Sequence, residues 1–246
     1  MKIFFLPGWA GGGEDFSALM ELLPASIRKE CLYEAPLSAQ FSEELTFDSV
    51  IQTLATRINQ STEEFYLCGY SMGGRLSLAL IPFIKNNPKF KGLILLSAGL
   101  GVESEEEKNI RAQNDQAWSE LLCAKPEEFW LRWYEQGIFQ SLKNLPAAKM
   151  QAWLAKRKAL NTRNLALDLD LYGHSRHPFL LPLAQELAPK PLLYLSGVLD
   201  TKYGQIGARL KSSIREITVL NIPGAGHVLP LEAPVLVAQA IMEWLH

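Results

Sequence analysis

A G-x-S-x-G motif, G-Y-S-M-G at positions 69–73, contains the clearest candidate for a reactive side chain, Ser71. It follows an apolar run and opens a stretch of helical periodicity, and this strand, turn and helix context is the one that the motif requires. Glycines on both sides of the serine suit a crowded turn in which side chains would clash with neighbouring backbone. The pattern predicts a serine hydroxyl raised above a sheet edge at the start of a helix.

An acid and a histidine that could activate Ser71 follow it in the order Ser, Asp, His, as this kind of turn requires. Asp200 ends the turn after an apolar strand, where its carboxylate can orient an imidazole. The alternative for Asp200 is that it only caps the next helix. His227 follows another predicted strand, in a turn of small residues that allows close approach to the serine. We therefore predict a catalytic triad of Ser71, Asp200 and His227.

Two backbone amides are candidates for an oxyanion hole. The Met72 N–H lies at a helix N-terminus beside the serine, and the Trp9 N–H lies in the glycine-rich loop after the first strand. A glycine-rich loop could also bind phosphate, but no lysine follows at P-loop spacing. We favour the oxyanion hole.

Arg75 lies one helical turn beyond Ser71, where the helix dipole disfavours a cation. It therefore needs a compensating anion. The sequence leaves two possibilities open, a nearby Asp or Glu and the carboxylate of a substrate.

Short apolar runs alternate with segments of helical periodicity, which is the pattern of a parallel sheet built from βαβ units. The predicted strands are 3–6, 31–33, 65–68, 93–96, 192–195 and 217–222. The predicted helices are 16–23, 47–58, 75–84, a stretch after position 203, and 233–245.

Between positions 101 and 187 the strand signals vanish, and aromatic residues stand among charged ones at helical spacing: Trp118, Trp130, Trp133, Phe139 and Trp153. This pattern predicts a helical cap over 101–187, inserted into a core formed by 1–100 and 188–246. Aromatic residues at such spacing more often bury one another than contact a ligand.

The composition restricts the function. The chain has 246 residues, 48% of them hydrophobic and 20% charged, which fits one compact core with an insertion. Its net charge of −2 provides no basic surface for nucleic acid or anionic lipid. The first apolar run is too short for a signal peptide, and no later run could span a bilayer. We expect a small-molecule substrate and no membrane insertion, and the sequence does not indicate an oligomeric state.

Three cysteines without a C-x-x-C pair suit a reducing compartment, so we expect a cytoplasmic protein. His174 and His177 are spaced as H-x-x-H, but no further ligands stand near them. We therefore interpret them as surface residues of the cap and predict no metal site.

Several segments together carry a resemblance to a known family. They are the elbow extended to G-Y-S-M-G-G-R, the cap segments 111–118 and 133–139, Arg157 followed by Asn161, and the turns G-V-L-D and G-A-G-H. The chain resembles the 2-succinyl-6-hydroxy-2,4-cyclohexadiene-1-carboxylate synthase (MenH) family of the α/β-hydrolase superfamily over nearly its whole length. The resemblance implies an α/β-hydrolase fold, a mostly parallel sheet flanked by helices with an inserted helical cap.

The resemblance also implies a lyase of menaquinone biosynthesis that uses no metal or organic cofactor. Such an enzyme eliminates pyruvate from a cyclohexene precursor that carries a succinyl chain and several carboxylates. Ser71 would abstract a ring proton, and the amides of Trp9 and Met72 would stabilise the charge that develops on the conjugated carbonyl.

The resemblance further implies that three arginines, Arg75, Arg111 and Arg157, bind the carboxylates. A planar guanidinium matches a carboxylate in a bidentate way. Tyr70 and Trp133 would line the same pocket, with packing of the elbow and of the cap as their alternative role.

The chain departs from the family pattern in two loops. Pro7-Gly8 replaces the usual His-Gly after the first strand, and the loop 34–38 lacks the usual Pro-Gly-His-Gly. The first change leaves the Trp9 amide in place but alters how the loop is braced.

Two other functions stay open at this stage. A carboxylester hydrolase or thioesterase, including the pimeloyl-methyl-ester type, would use the same triad through an acyl-Ser71 intermediate. A non-catalytic receptor would only bind a small ligand. Three arginines favour a polycarboxylate over an acyl chain, and a complete triad argues against the receptor.

Overall fold

The core of the protein is one parallel sheet, seen in a computed structural model that describes residues 1–40 and 46–246. Six strands lie in the order β2-β1-β3-β4-β5-β6, and every neighbouring pair is parallel. Their bounds are β1 Lys2–Leu6, β2 Arg28–Cys31, β3 Phe65–Tyr70, β4 Phe90–Leu96, β5 Leu192–Gly197 and β6 Ile217–Ile222. The parallel α/β class that the sequence predicts is confirmed.

Within the described residues there are eleven α-helices, nine between the strands and two after the last one. They are α1 Ser17–Leu22, α2 Phe47–Asn59, α3 Met72–Ile84, α4 Glu105–Ala124, α5 Pro126–Glu135, α6 Ala147–Lys158, α7 Thr162–Tyr172, α8 Leu181–Gln185, α9 Thr201–Ser213, α10 Leu229–Glu232 and α11 Pro234–Leu245. Because side chains alternate along a strand, Phe4 and Leu6 pack with α2 and α3. Ile3 and Phe5 pack on the opposite face with α1 and α11. Both faces of the sheet are therefore covered by helices.

The second strand differs from its prediction. The sequence predicts 31–33, whereas β2 covers Arg28–Cys31 and pairs with β1 at one edge of the sheet. An edge strand needs no continuous apolar run, and β2 is polar and partly exposed. Leu32 and Tyr33, which carry the apolar signal, are buried just beyond the strand.

Two helices also begin elsewhere than predicted. Helix α3 begins at Met72, three residues before the predicted start, and Ser71 occupies its N-cap position. The predicted helix 16–23 is divided into a 3₁₀ turn, Gly13–Phe16, and the short helix α1. Propensity patterns locate such boundaries only to within a few residues.

Helices α4 to α8 fill the chain between β4 and β5, and residues 97–191, all of them described, contain no strand. We propose that this segment is the cap expected over 101–187. Its aromatic residues pack on one another, with Trp133 stacked on Phe129 at 5.2 Å and edge-on to Trp118 at 5.3 Å between ring centroids. Among the helices in the described part of the chain, none combines the length and the apolar character needed to cross a bilayer.

Candidate active site

The turn at Ser71 has a strained backbone. Ser71 adopts φ 51° and ψ −111°, between the end of β3 and the start of α3. A Cβ at Gly73 would lie 2.0 Å from the carbonyl oxygen of Leu6, and a Cβ at Gly69 would lie 2.6 Å from that of Gly73. Only glycine fits such approaches, so these two positions let the serine stand above the sheet edge.

The structure brings Ser71, His227 and Asp200 together. His227 Nε2 lies 3.2 Å from Ser71 Oγ, and His227 Nδ1 lies 2.9 Å from Asp200 Oδ2. His227 is 2% exposed and Asp200 4%. A carboxylate on Nδ1 favours the tautomer whose Nε2 can take a proton from the serine hydroxyl. The arrangement can therefore convert Ser71 into a base or a nucleophile.

Asp200 fills both of the roles that the sequence left as alternatives. Its Oδ1 accepts a hydrogen bond of 3.3 Å from the Tyr203 amide as the N-cap of α9, while its Oδ2 contacts His227. The helix cap therefore holds the carboxylate in the orientation that the histidine needs.

Glu232 fixes the backbone on both sides of His227. Its two carboxylate oxygens accept hydrogen bonds from the amides of Gly226, at 2.9 Å, and Val228, at 2.7 Å. Hydrogen bonds to an ionised acceptor are stronger than neutral ones. Glu232 lies five positions after the histidine on the short helix α10 and was not predicted from the sequence.

The loop after β1 places Trp9 beside the serine. Gly8, Trp9 and Met72 line the same cavity as Ser71. The first hydrogen bond of α3 runs from the Arg75 amide to the Ser71 carbonyl. The Met72 amide therefore precedes the helical ladder and is free to point at an anion.

A tyrosine and a glutamate brace this loop where the family pattern has a histidine. The hydroxyl of Tyr33, a residue 3% exposed, donates a 2.5 Å hydrogen bond to the carbonyl of Pro7. Glu34 accepts from the Gly13 amide through both oxygens, at 2.9 and 3.0 Å. Pro7 is thus held by its carbonyl, which needs no backbone N–H.

The triad opens into a cavity of about 140 Å³ between the sheet edge and the helices that follow β4. Four cationic side chains line it: Arg75, Arg111, Arg157 and Lys202. All five residues expected to bind substrate, the three arginines with Tyr70 and Trp133, are among those lining it. The structure therefore brings the whole predicted set to one cavity.

Arg75 is 6% exposed and forms no ion pair with any carboxylate of residues 1–40 or 46–246. Burial lowers its pKa to about 10, so it remains charged at neutral pH. Of the two partners that the sequence left open, no acid among these residues forms an ion pair with Arg75, although the charge of Asp115 acts on it and raises its pKa. The guanidinium charge is available to a bound anion.

The other two arginines already have acidic partners. Both oxygens of Asp15 accept from Arg157 Nη2, at 2.7 and 2.8 Å, and both side chains are buried. The Arg157 guanidinium also stacks on the ring of Trp153 at 3.6 Å. Arg111 Nε lies 2.9 Å from Asp115 Oδ1. Their charges are therefore largely compensated within the protein.

The interpretation of His177 as a surface residue is wrong. His177 is 3% exposed, and its Nε2 lies 2.9 Å from Arg75 Nη1. His174 is partly buried and also lines the cavity. Residues 173–180 form the loop after α7, and part of this loop lines the cavity. The H-x-x-H spacing alone could not show this. No group of three His, Cys, Asp or Glu side chains within the described ranges is arranged to hold a metal ion.

The two aromatic residues expected in the pocket, Tyr70 and Trp133, both line the cavity and pack against neighbouring rings. Tyr70 is 6% exposed, and its ring lies 5.6 Å from that of His227 while it lines the cavity. Trp133 packs on Trp9 at 4.8 Å and also lines the cavity. Each residue is thus part of the packing and of the pocket wall.

Two residues of α9 join the site without having been predicted. Lys202 lines the cavity, and its pKa is lowered by burial and by the charge of Arg111. The ring of Tyr203 lies 4.5 Å from that of His227. The sequence could have indicated both residues, because they directly follow Asp200. The first turn of a helix whose N-cap is the catalytic acid must lie near the site.

The comparisons with known proteins agree with this architecture. Residues 3–240 match the α/β hydrolase family. A protein of Enterobacter sp. (strain 638), named 2-succinyl-6-hydroxy-2,4-cyclohexadiene-1-carboxylate synthase, is 30% identical over 201 residues, covering 81% of this chain and 74% of the relative.

Two solved structures share the fold. MenH from S. aureus superposes with a TM-score of 0.89 at 24% identity, covering 100% of this chain and 93% of that one. A thermophilic esterase from Thermogutta terrifontis superposes with a TM-score of 0.79 at 20% identity, covering 100% and 89%. The fold alone therefore accommodates both kinds of named protein.

The family match covers almost the whole chain, and the relative at 30% identity covers 81% of it. The chain is therefore an enzyme of the α/β hydrolase family and belongs, within it, to the 2-succinyl-6-hydroxy-2,4-cyclohexadiene-1-carboxylate synthases.

Proposed function

We propose that the protein is a carbon–oxygen lyase of menaquinone biosynthesis. It eliminates pyruvate from a cyclohexene precursor that carries a succinyl chain and several carboxylates. The observation that carries this proposal is the buried charge of Arg75, which forms no ion pair within the described residues and lies in the same cavity as Ser71. A buried cation without an anion is costly, and a substrate carboxylate would remove that cost.

The proton transfer runs through the triad. Ser71 Oγ takes a proton from a ring carbon of the substrate while His227 Nε2, 3.2 Å away, takes the hydroxyl proton. The electron pair of the broken carbon–hydrogen bond forms a new ring double bond. The carbon–oxygen bond to the pyruvyl group then breaks with its electron pair on oxygen. Pyruvate leaves as its enolate, which reaches the keto form by taking up the proton that His227 holds.

The two backbone amides stabilise the charge of this reaction. Deprotonation beside a conjugated carbonyl places negative charge on its oxygen. The N–H groups of Trp9 and Met72 donate to that oxygen, and the start of α3 adds the favourable end of its dipole. Donors fixed before the reaction require no reorganisation during it.

The cationic side chains of the cavity contribute unequally to binding the substrate carboxylates. Arg75 contributes most because its charge has no acidic partner among the described residues. Lys202 lines the same cavity and provides further positive potential, whereas Arg111 contributes less because Asp115 lies 2.9 Å from its Nε. Arg157 contributes less because Asp15 already occupies its Nη2. Tyr70 and Trp133 provide flat apolar walls for the ring.

The experiment is pyruvate release from the precursor, made in situ and coupled to lactate dehydrogenase. We expect release without added metal, its loss by about a thousandfold or more in Ser71→Ala, and a strongly raised KM in Arg75→Met. Lys156→Met is a suitable control because Lys156 pairs with Glu14 on an exposed surface.

Two results would contradict the proposal. Ready hydrolysis of aryl or methyl esters through an acyl-Ser71 intermediate, without pyruvate release, would show an ester hydrolase. Ligand binding with no turnover in the wild type, unchanged in Ser71→Ala, would show a receptor.

A further inference from the structure

The partner of Arg75 is unusual for a buried arginine. Arg157 and Arg111 lie against the carboxylates of Asp15 and Asp115. Arg75, only 6% exposed, instead has an imidazole nitrogen 2.9 Å from its Nη1. Buried charges in proteins are normally paired with an opposite charge. The choice of a histidine at this contact therefore needs an explanation.

The hydrogen bonds of His177 define its tautomer. Its Nδ1 lies 3.0 Å from the carbonyl oxygen of Pro178, which can only accept, so Nδ1 carries the proton. Its Nε2 then accepts from Arg75. Burial, and next the charge of Arg75, lower the pKa of His177 to about 3. The ring is neutral at physiological pH.

The surroundings hold this ring in place. His177 is 3% exposed, and the ring of Phe47 lies 5.6 Å from it between centroids. Gly101 adopts φ +79°, and a Cβ there would lie 2.7 Å from His177 Cε1. The side chain that contacts Arg75 is thus closely packed on several sides.

We propose that His177 is a positioning residue that fixes the Arg75 guanidinium while leaving its positive charge free for a substrate carboxylate. An aspartate or glutamate at this place could form the same hydrogen bond, but it would cancel the charge. The imidazole uses one of the five guanidinium N–H donors, so several remain for a bidentate contact. This inference rests on the proposed function, in which the substrate is a polycarboxylate.

A matched pair of substitutions separates charge from shape. His177→Gln provides a neutral oxygen that can reach the place of Nε2, and His177→Glu provides a charged oxygen on a side chain of the same length. Binding is measured by isothermal titration with propane-1,2,3-tricarboxylate at constant ionic strength, so that the result is independent of catalysis. Arg75→Met is the reference for loss of the cation.

We expect His177→Glu to raise the Kd of the tricarboxylate by about tenfold or more, close to the effect of Arg75→Met. His177→Gln should raise the Kd by no more than about threefold. With the in situ precursor, His177→Glu should raise KM more than it lowers kcat. Circular dichroism and the melting temperature establish that each variant is folded.

A further measurement uses the wild-type protein alone. Nitrogen chemical shifts of the imidazole should show a neutral ring protonated on Nδ1 between about pH 6 and 8, as a ring with a strongly lowered pKa requires. This signature does not depend on whether a variant folds. A doubly protonated ring in this range would overturn the inference.

The titrations give equally clear contrary results. If His177→Glu binds the tricarboxylate as tightly as the wild type, or if the glutamine and glutamate variants lose equal affinity, the inference that His177 preserves the charge of Arg75 is overturned. Absence of tricarboxylate binding in the wild type, or full affinity in Arg75→Met, would overturn the anion site itself. If the expected binding pattern holds but no pyruvate is released, the proposed lyase activity fails and the role of His177 stands.

Discussion

The buried ion pair between Arg157 and Asp15 offers a test of what Arg157 does. The two side chains are 4% and 6% exposed and are joined through Nη2 at 2.7 and 2.8 Å. In Arg157→Met the Asp15 carboxylate stays buried with Trp153 Nε1, at 3.2 Å, as its remaining side-chain partner among the described residues. The substitution therefore leaves an uncompensated charge in the protein interior.

The magnitude follows from the burial. Removing one partner of a buried pair costs about 3–5 kcal/mol, whereas replacing both partners is often close to neutral. For a chain of this length each kcal/mol shifts the melting temperature by about 2–4 °C. We expect Arg157→Met to melt about 10 °C lower. The double variant Asp15→Asn/Arg157→Met should regain most of that loss.

The assay is urea or thermal unfolding of the wild type, both single variants and the double variant, which together form a double-mutant cycle. Lys156→Met is the matched control, because Lys156 lies next to Arg157 and pairs with Glu14 while both are about half exposed. Its effect should stay below about 1 kcal/mol.

Additive effects of the two single substitutions would refute the reasoning, because they would show that the charges do not depend on each other. Pyruvate release gives a second measurement. We expect the double variant to raise KM less than Arg75→Met does, because the Arg157 charge is already compensated by Asp15. A larger rise would show that Arg157 binds substrate directly.

Two further predictions concern acids near the site. Glu232→Gln should lower pyruvate release by about tenfold, because glutamine offers a single, neutral acceptor oxygen to the two amides beside His227; unchanged turnover would refute this. Burial raises the pKa of Asp168 to about 6 from its ordinary 3.8, with the amides of Ser38 and Leu37 opposing the shift. The folded protein then holds this proton more tightly than the unfolded chain, so the free energy of unfolding should fall as pH rises from about 4 to about 6, by up to about 3 kcal/mol. Urea titrations of wild type and Asp168→Asn across this range measure the difference, and parallel pH profiles would contradict it.

The features that the sequence predicted well are local ones. The elbow at Ser71 is specified by glycines within two residues of the serine, and its strand and helix are adjacent in the chain. Asp200 and His227 each follow an apolar strand, and in a parallel sheet such positions meet at one edge. Local pattern and chain order are therefore sufficient to bring the triad together.

The features that escaped prediction depend on distant or weakly apolar residues. Asp15 and Arg157 are separated by 142 positions, and nothing in the sequence around either one identifies its partner. The edge strand β2 carries little hydrophobic signal because three of its four residues are charged and none of the four is buried. His177 lies in a loop without periodicity, so its burial is determined by the fold alone.

Trp9 belongs to two parts of the molecule at once. It lines the cavity beside Ser71, while its indole Nε1 donates a 3.1 Å hydrogen bond to the Leu165 carbonyl in α7. Its ring packs against Phe129 and Trp130 of α5 at 5.7 Å each. The loop after β1 is therefore coupled to α5 and α7, so that a change in either part requires a matching change in the other. A chimaera that takes its helical segment from another hydrolase would have to bring the matching loop with it.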